Sequence, residues 1–345
     1  MKRTRFAAEL SGAHLARARH ELLACGITPK KLRGPNWRRV SHGLYLPASA
    51  AGEEPTQRIL DVGQAIAGRG VIGGWAAAYI HGAHWLDGID AWTFARFPVD
   101  CLGLKRRQRP GVCYRGSSVP DEEVVTRPDE EVVTRHGLKV TSPLRTAFDG
   151  ARWSASLEEA VVFVDAMATQ AGILVDELIQ FAERHPRVTG SKQARAAAVI
   201  GRPGIRSPWE SRLRFCYQYQ AGLPSPLLNV PVFWGERLLG IPDLFDPVAA
   251  LASEFDGTGH RERQQHREDN IREERFEAAN VTVTRYDSLD LMRDRPRLVR
   301  RLRNAWDRGL GRDHNRDRWT LEQPAWWERR RTGQADREGE CREEE

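Results

Sequence analysis

The chain has 345 residues, with 53 Lys/Arg against 47 Asp/Glu, a formal net charge of +6, and 40% apolar and 29% charged residues. That is too long for one small core, at about 150 residues per domain, and too apolar for wholesale disorder. No apolar run approaches the roughly 18 residues of a membrane span, and the basic N-terminus has no apolar stretch before Glu9, which argues against a secretory signal. Five cysteines with no CxxC or Cys/His cluster argue against a zinc site or disulfide framework and fit a reducing cytoplasm.

Residues 1–50 hold ten Lys/Arg against Glu9 and Glu21, a surplus of +8, so the other 295 residues sum to −2. A basic head on a nearly neutral body is the electrostatic footprint of a nucleic-acid partner. A solvated basic arm is the plainer account. Residues 11–25, SGAHLARARHELLAC, place Leu15, Ala18, Leu22 and Leu23 on one helical stripe that Gly26 ends. Thr28 and Pro29 then read as N-cap and first position of a short helix, TPKKLRG. WRRVSHGLYLP reads as two short strands about a Ser41-His42-Gly43 turn. Helix, helix and hairpin in this order form the pattern of a winged helix, in which the second helix enters the major groove and the wing touches backbone. Lys30, Lys31, Arg33, Arg38 and Arg39 are the candidate DNA contacts.

Residues 51–204 read as an α/β middle region. Thr56 caps the helix TQRILDVGQAIAG, WAAAYIHGAHWL is a second helix, and VDCLGL and VCYRGSSV are strands. Ser156 with Glu159 forms a capping box for LEEAVVFVDAMATQ. The octamer PDEEVVTR occurs at 120–127 and again at 128–135, and reads as a lengthened surface loop rather than a solenoid. His81, His84, Trp75, Tyr79 and Trp85 read as core residues, since no third metal ligand is placed near the histidines.

Residues 205–308 open with Ser207, Pro208 and Glu210 as N-cap, first and third positions of a helix closed by Gly222. Three strand-like runs follow, LLNVPVFW, LLGIPDLF and ALASEFD, then a charged helix over about 263–279, a strand VTVTRY and a last helix. The predicted order is α-β-β-β-α-β-α. Residues 309–345, rich in Arg and Glu, read as a loosely ordered tail whose Trp319, Trp326 and Trp327 can dock.

Chemistry concentrates in this third region. Asp243 stands at the end of one predicted strand, and Glu254 and Asp256 sit at i and i+2 on the next, hence on one face. Converging carboxylates repel one another and are expensive to bury. A hard divalent cation removes both penalties, and oxygen-only ligands point to Mg²⁺ or Mn²⁺, which can acidify a water for phosphodiester hydrolysis. Glu210 has a plainer role as the third residue of a helix cap, and Asp269 and Arg272 as an i,i+3 surface ion pair.

Proline-aspartate in a hairpin, then an acid-x-residue strand and a helix, resembles the PD-(D/E)xK restriction-endonuclease-like fold. EFDGTGH followed by Asp269-x-x-Arg272 and VTVTRY is similar to its very-short-patch-repair (Vsr-like) endonuclease branch, over about residues 205–305. The resemblance implies that Asp243 and Glu254 are metal-binding acids and Glu210 the first-helix acid. It places Asp256 where the general motif has lysine, and His260 near the histidine of the Vsr-like branch. The last lysine of the chain is Lys192, so His260 is the first candidate to position or deprotonate the attacking water, with Gln264 or His266 as substitutes.

The first 200 residues resemble the AbiEi-type antitoxins of type IV toxin–antitoxin systems, through GITPKKLRGPNWRRVSHGLYLP, GGWAAAYIHGAHWLDG and VTSPLRTAFDGA. The resemblance implies DNA-binding regulation, with a toxin or other regulatory partner left open. The expectation is thus a cytoplasmic α/β multi-domain DNA-binding protein: a winged helix (1–50), an α/β middle region (51–204), a Mg²⁺-dependent endonuclease-like domain (205–308) and a tail (309–345). Catalysis falls to Asp243, Glu254, Asp256 and His260. The alternative is a regulator or antitoxin with a degenerate nuclease domain, which the missing lysine favours.

Overall fold

The computed structural model describes residues 13–50, 52, 54–66, 69–103, 111–116, 124–126, 138–257 and 263–332, and the side chains of all of these but 124–126, 263–270 and 330–332. The protein is a mixed α/β chain that divides into two compact units, Met1–Pro203 and Gly204–Glu345. Among the described residues no helix is long and apolar enough to cross a membrane.

The first unit begins with β1 (Arg17–Ala18), α1 (Arg19–Ala24), α2 (Pro29–Leu32), β2 (Trp37–Ser41) and β3 (Leu44–Pro47), the strands ordered β1-β3-β2. The helix expected over 11–25 is shorter, because its first half hydrogen-bonds elsewhere. Gln64 takes both ends of the Ala16 peptide unit, accepting from its N–H at 2.7 Å and donating to its carbonyl at 3.2 Å, and Arg17 and Ala18 pair with β3. Thr28 caps α2 by accepting from the Lys31 amide at 3.3 Å, with Pro29 at the first position, as the residue types require. Leu22, Leu32 and Leu46 are buried beneath these elements.

Next come α3 (Pro55–Ile66), β4 (Val71–Ile72), α4 (Gly74–Ile80), β5 (Val99–Leu102), β6 (Val112–Arg115), β7 (Val124–Thr126) and β8 (Lys139–Thr141). Pro55, not Thr56, opens α3, in keeping with proline's fixed φ, while Thr56 is buried. The five strands form one sheet of order β6-β5-β4-β8-β7. Helix α4 stops short of the predicted segment, since Gly82 turns the chain at φ 104°. Val124–Thr126, inside the first octamer copy, pair antiparallel with β8 rather than looping out; the rest of the duplication lies outside the described residues. Four helices, α5 (Pro143–Trp153), α6 (Leu157–Gln170), α7 (Val175–Arg184) and α8 (Ser191–Ile200), complete the unit. Ser156 accepts from the Glu159 amide at 3.2 Å. Trp75, Tyr79 and Ile72 lie in one buried cluster, and His81 and His84 are held by the Thr141 carbonyl and the Tyr79 ring.

The second unit contains α9 (Pro208–Phe215, continued by a π turn to Gln220), β9 (Leu227–Leu228), β10 (Val232–Trp234), β11 (Arg237–Gly240), β12 (Leu244–Asp246), β13 (Leu251–Asp256), α10 (Arg263–Ala278), β14 (Thr282–Asp287), α11 (Ser288–Arg293), α12 (Arg295–Leu310) and α13 (Ala325–Thr332). Each of the first two predicted strands is cut in two where a proline withholds an amide donor, at Pro231 and at Pro242. The pieces part company: β10 and β11 form a separate hairpin, while β9 and β12 join the main sheet β14-β13-β12-β9. Among the described residues of this sheet, β13 and β14 pair parallel, joined through α10, while the other pairs are antiparallel. Leu244, Leu251, Tyr286 and Leu298 form the core on one side; Phe245, Ala252 and Phe276 form it on the other.

The expected loose tail needs correcting over residues 311–332. Trp319 packs edge-on against the buried Phe245 ring, Thr320 and Phe233 exchange backbone hydrogen bonds at 2.8 and 2.9 Å, and Trp326 donates to the Glu236 carbonyl at 2.9 Å. The apolar payload of the tryptophans, which average composition obscures, anchors this segment.

Candidate functional sites

Asp243 precedes β12 by one residue. Its carboxylate accepts the Phe255 amide at 2.7 Å, which fixes it beside the end of β13. Glu254 and Asp256 lie on one face of that strand, and Phe255, on the other, stacks on Trp209 with ring centroids 5.3 Å apart. A polar cavity of about 90 Å³ opens among Asp243, Glu254, Asp256, Arg272 and Arg285. The three predicted acids are therefore brought to one cavity.

Each acid is also engaged by the chain itself. Arg272, from α10, donates to Glu254 Oε2 at 2.6 Å, and Arg285 stands 3.7 Å from the same oxygen. Arg285 is there because the parallel register of β13 and β14 sets it opposite Glu254. Its Nη1 also pairs with Glu273 at 2.9 Å. Glu210 is buried; its amide donates to Ser207 Oγ at 3.2 Å, and its Oε2 accepts from the Arg206 amide at 2.9 Å and from Asn229 Nδ2 at 3.0 Å. It is thus a helix-cap residue and also a neighbour of the acidic site.

The electrostatics of the site centre on Asp243. Burial first, then the charge of Glu210 and, less strongly, that of Glu254 push its carboxyl up to about 7, against the lowering effects of the Phe255 amide and Arg272. Burial and two neighbouring carboxylates both favour the protonated form of the third.

The donor set has the chemistry of a hard-cation site: oxygen only, partly desolvated and mutually repelling. The arrangement does not fit one. Among the described residues no three His, Cys, Asp or Glu side chains gather into a group able to hold a metal ion. An Arg272 nitrogen also occupies the oxygen of Glu254 that an ion would take. His260 lies outside the described residues, as do the side chains of Gln264, His266 and Asp269.

Arg272 and Arg285 are the residues that sequence reasoning undervalued. The Asp269-x-x-Arg272 spacing was visible, but an i,i+3 surface pair accounts for it equally well. Arg272's contact with Glu254 depends on how α10 crosses the sheet, and Arg285's on strand order.

The DNA-contact candidates of the first unit divide differently from expectation. Lys30, Lys31 and Arg33 are exposed on the single turn of α2 and its C-cap, anchored below by buried Leu32. Arg39 is exposed and bridges the Ser41 carbonyl at 3.2 Å and His42 Nδ1 at 3.1 Å. Arg38 turns inward, donating to Asp61 of α3 at 2.5 Å, so it is withdrawn from the outer face of the hairpin. No family model, curated protein or solved structure matches the chain.

Proposed function

We propose that the protein is a DNA-binding regulator whose second unit carries a nuclease-like acidic cavity tied off by its own arginines. The observation that carries the non-catalytic half of this reading is the 2.6 Å bond from Arg272 to Glu254, backed by Arg285. Admitting an ion breaks a 2.6 Å ion pair of a half-buried guanidinium. No lysine follows Lys192 to take the motif's usual part, and a guanidinium does not deprotonate water, since it stays charged at every accessible pH.

DNA binding is supported by the clustering of cations on α2 and the adjoining hairpin. A short helix capped by Thr28 and pinned by Leu32 presents Lys30, Lys31 and Arg33 together, with Arg39 on the hairpin that follows. Such groups supply the sequence-independent phosphate contacts that position a protein on duplex DNA. With Arg38 committed to Asp61, four contacts remain, and the logarithm of affinity should fall against the logarithm of salt with a slope of about −3.6, from about −0.9 per contact. Filter binding to duplex DNA across a salt series measures it. A slope near zero, or one unchanged in Lys30→Glu/Lys31→Glu, contradicts the assignment.

One observation favours a second reading, metal-dependent DNA hydrolysis: Asp243, Glu254 and Asp256 line one polar cavity. Asp243 and Glu254, with Asp256 at the cavity, would then hold Mg²⁺ once Arg272 had left. That reading requires added Mg²⁺ to raise the melting temperature of the wild-type protein and not that of Asp243→Asn.

A further inference from the structure

A second and much larger cavity, of about 860 Å³, lies wholly within the first unit, between β2 with its turn, α3 and the segment 96–99. That is the size of a small-molecule or nucleotide site. Its cationic lining consists of Arg38, Arg39, Arg58 and Arg96, with His42, and its acid is Asp61, which Arg38 already neutralises. The other wall is apolar, from Val62 and Ala65 of α3 to Pro98 and Val99.

Two details say what kind of anion belongs there. Arg38 Nε and Nη2 are buried yet meet no acceptor in the structure, and desolvated donors of this kind are costly unless something satisfies them. They lie against Gly52, also in the lining, where a Cβ would come within 2.9 Å of the guanidinium carbon. Phe97 stands at the lip with 45% of its surface exposed, although its backbone is tied at both ends, its amide to the Gly88 carbonyl and its carbonyl to Arg58. A flat aromatic face in a cleft lined by arginines stacks an unpaired base and holds its phosphate; the faces of duplex bases are already covered by their neighbours.

We propose that this cleft binds one nucleotide unit of a single-stranded nucleic acid, with phosphate at Arg38 and Arg39 and the base on Phe97. This rests on the nucleic-acid reading of the unit and extends it from duplex docking to strand recognition. A free nucleotide offers the same chemistry, and the assay separates the two sources.

The test is fluorescence anisotropy of the full chain with labelled oligo(dT)₁₅, with dTMP as competitor and a labelled duplex in parallel. Phe97→Ala should weaken oligo(dT)₁₅ about 5- to 150-fold, the range for one lost base–aromatic stack. Arg39→Gln should lower the magnitude of the single-strand salt slope by about 0.7. Competition by dTMP that is lost in Phe97→Ala identifies a free nucleotide as the ligand, and failure of dTMP to compete identifies the strand. Phe97→Leu, which keeps the apolar volume but not the flat ring, guards against a folding defect: it should melt as wild type and still bind weakly. Duplex binding without oligo(dT)₁₅ or dTMP binding overturns the cleft assignment alone, as does single-strand binding indifferent to Phe97→Ala and Arg39→Gln. Absence of all binding overturns both readings.

Discussion

Replacing Asp243 by asparagine isolates the acidic cavity's electrostatics. In the folded, metal-free protein the Asp243 carboxyl holds its proton up to about pH 7, against 3.8 for the free group, because it is buried beside Glu210 and Glu254. The folded state therefore binds more protons than the unfolded one between those values. Stability is full below about pH 4 and is lost as pH rises toward 7 and beyond. About three pH units at 1.36 kcal/mol each set a ceiling of about 4 kcal/mol. Since Asp243 is only half-buried, about 2–3 kcal/mol is the expected loss after solvent screening. Asparagine keeps an acceptor for the Phe255 amide but cannot ionise. In EDTA, Asp243→Asn should melt about 5–15 °C above wild type at pH 8, the span for a unit of this size, and close to it at pH 4. Asp100 also rises on burial, but it is common to both proteins and drops out of the difference. Circular dichroism melts of both proteins at four pH values read the curve. A gap that stays constant with pH, or that widens in acid, refutes the reasoning.

Other perturbations have equally definite outcomes. Arg272→Ala takes from Glu254, 8% exposed, its 2.6 Å guanidinium partner, and should cost about 1–3 kcal/mol by chemical denaturation; an unchanged midpoint would show the pair to be incidental. Asp61→Ala removes the acceptor of Arg38 and of Gln57 Nε2, the latter at 2.8 Å, and should destabilise the first unit by about 2 kcal/mol, whereas unchanged stability would show that Asp61 does not hold Arg38 inward. Gly309→Ala puts a Cβ 2.1 Å from the Ala249 carbonyl oxygen, a backbone atom that cannot swing aside. It should lose about 1–3 kcal/mol in urea, and a neutral result would mean that α12 sits further from the sheet. Truncation after Leu310 removes Trp319 and the Phe233–Thr320 pairing, so a melting temperature unchanged by it would restore the picture of a dispensable tail.

Local signals were legible wherever the chemistry was local. The Ser207-Pro208-Glu210 cap and the α2 turn formed where residue types dictated, while the turn expected over Ser41-His42-Gly43 narrowed to His42-Gly43, with Ser41 in β2. The boundary expected at 205 falls at Gly204. Strand breaks at Pro231 and Pro242 were readable from proline's missing donor, but not that the fragments would join different sheets. At the site, i,i+2 spacing put Glu254 and Asp256 on one face, and the Phe255 amide brought Asp243 alongside. The arginines were illegible: Arg285 faces Glu254 only through the parallel pairing of β13 with β14, and Arg38 meets Asp61 across 23 residues of sequence. Long-range ion pairs leave no periodic trace, so Arg38 read as a DNA contact and Arg285 carried no signal of its own.

The central claim, that the acidic cavity is closed by the chain's own arginines while the protein still grips DNA, meets its most direct test on supercoiled plasmid. Wild type, Asp243→Ala and Glu254→Ala are each incubated with Mg²⁺ or Mn²⁺ and resolved on agarose. The account expects all three proteins to retard the plasmid and to leave it supercoiled. Nicked or linear product from wild type that disappears in both variants would contradict it.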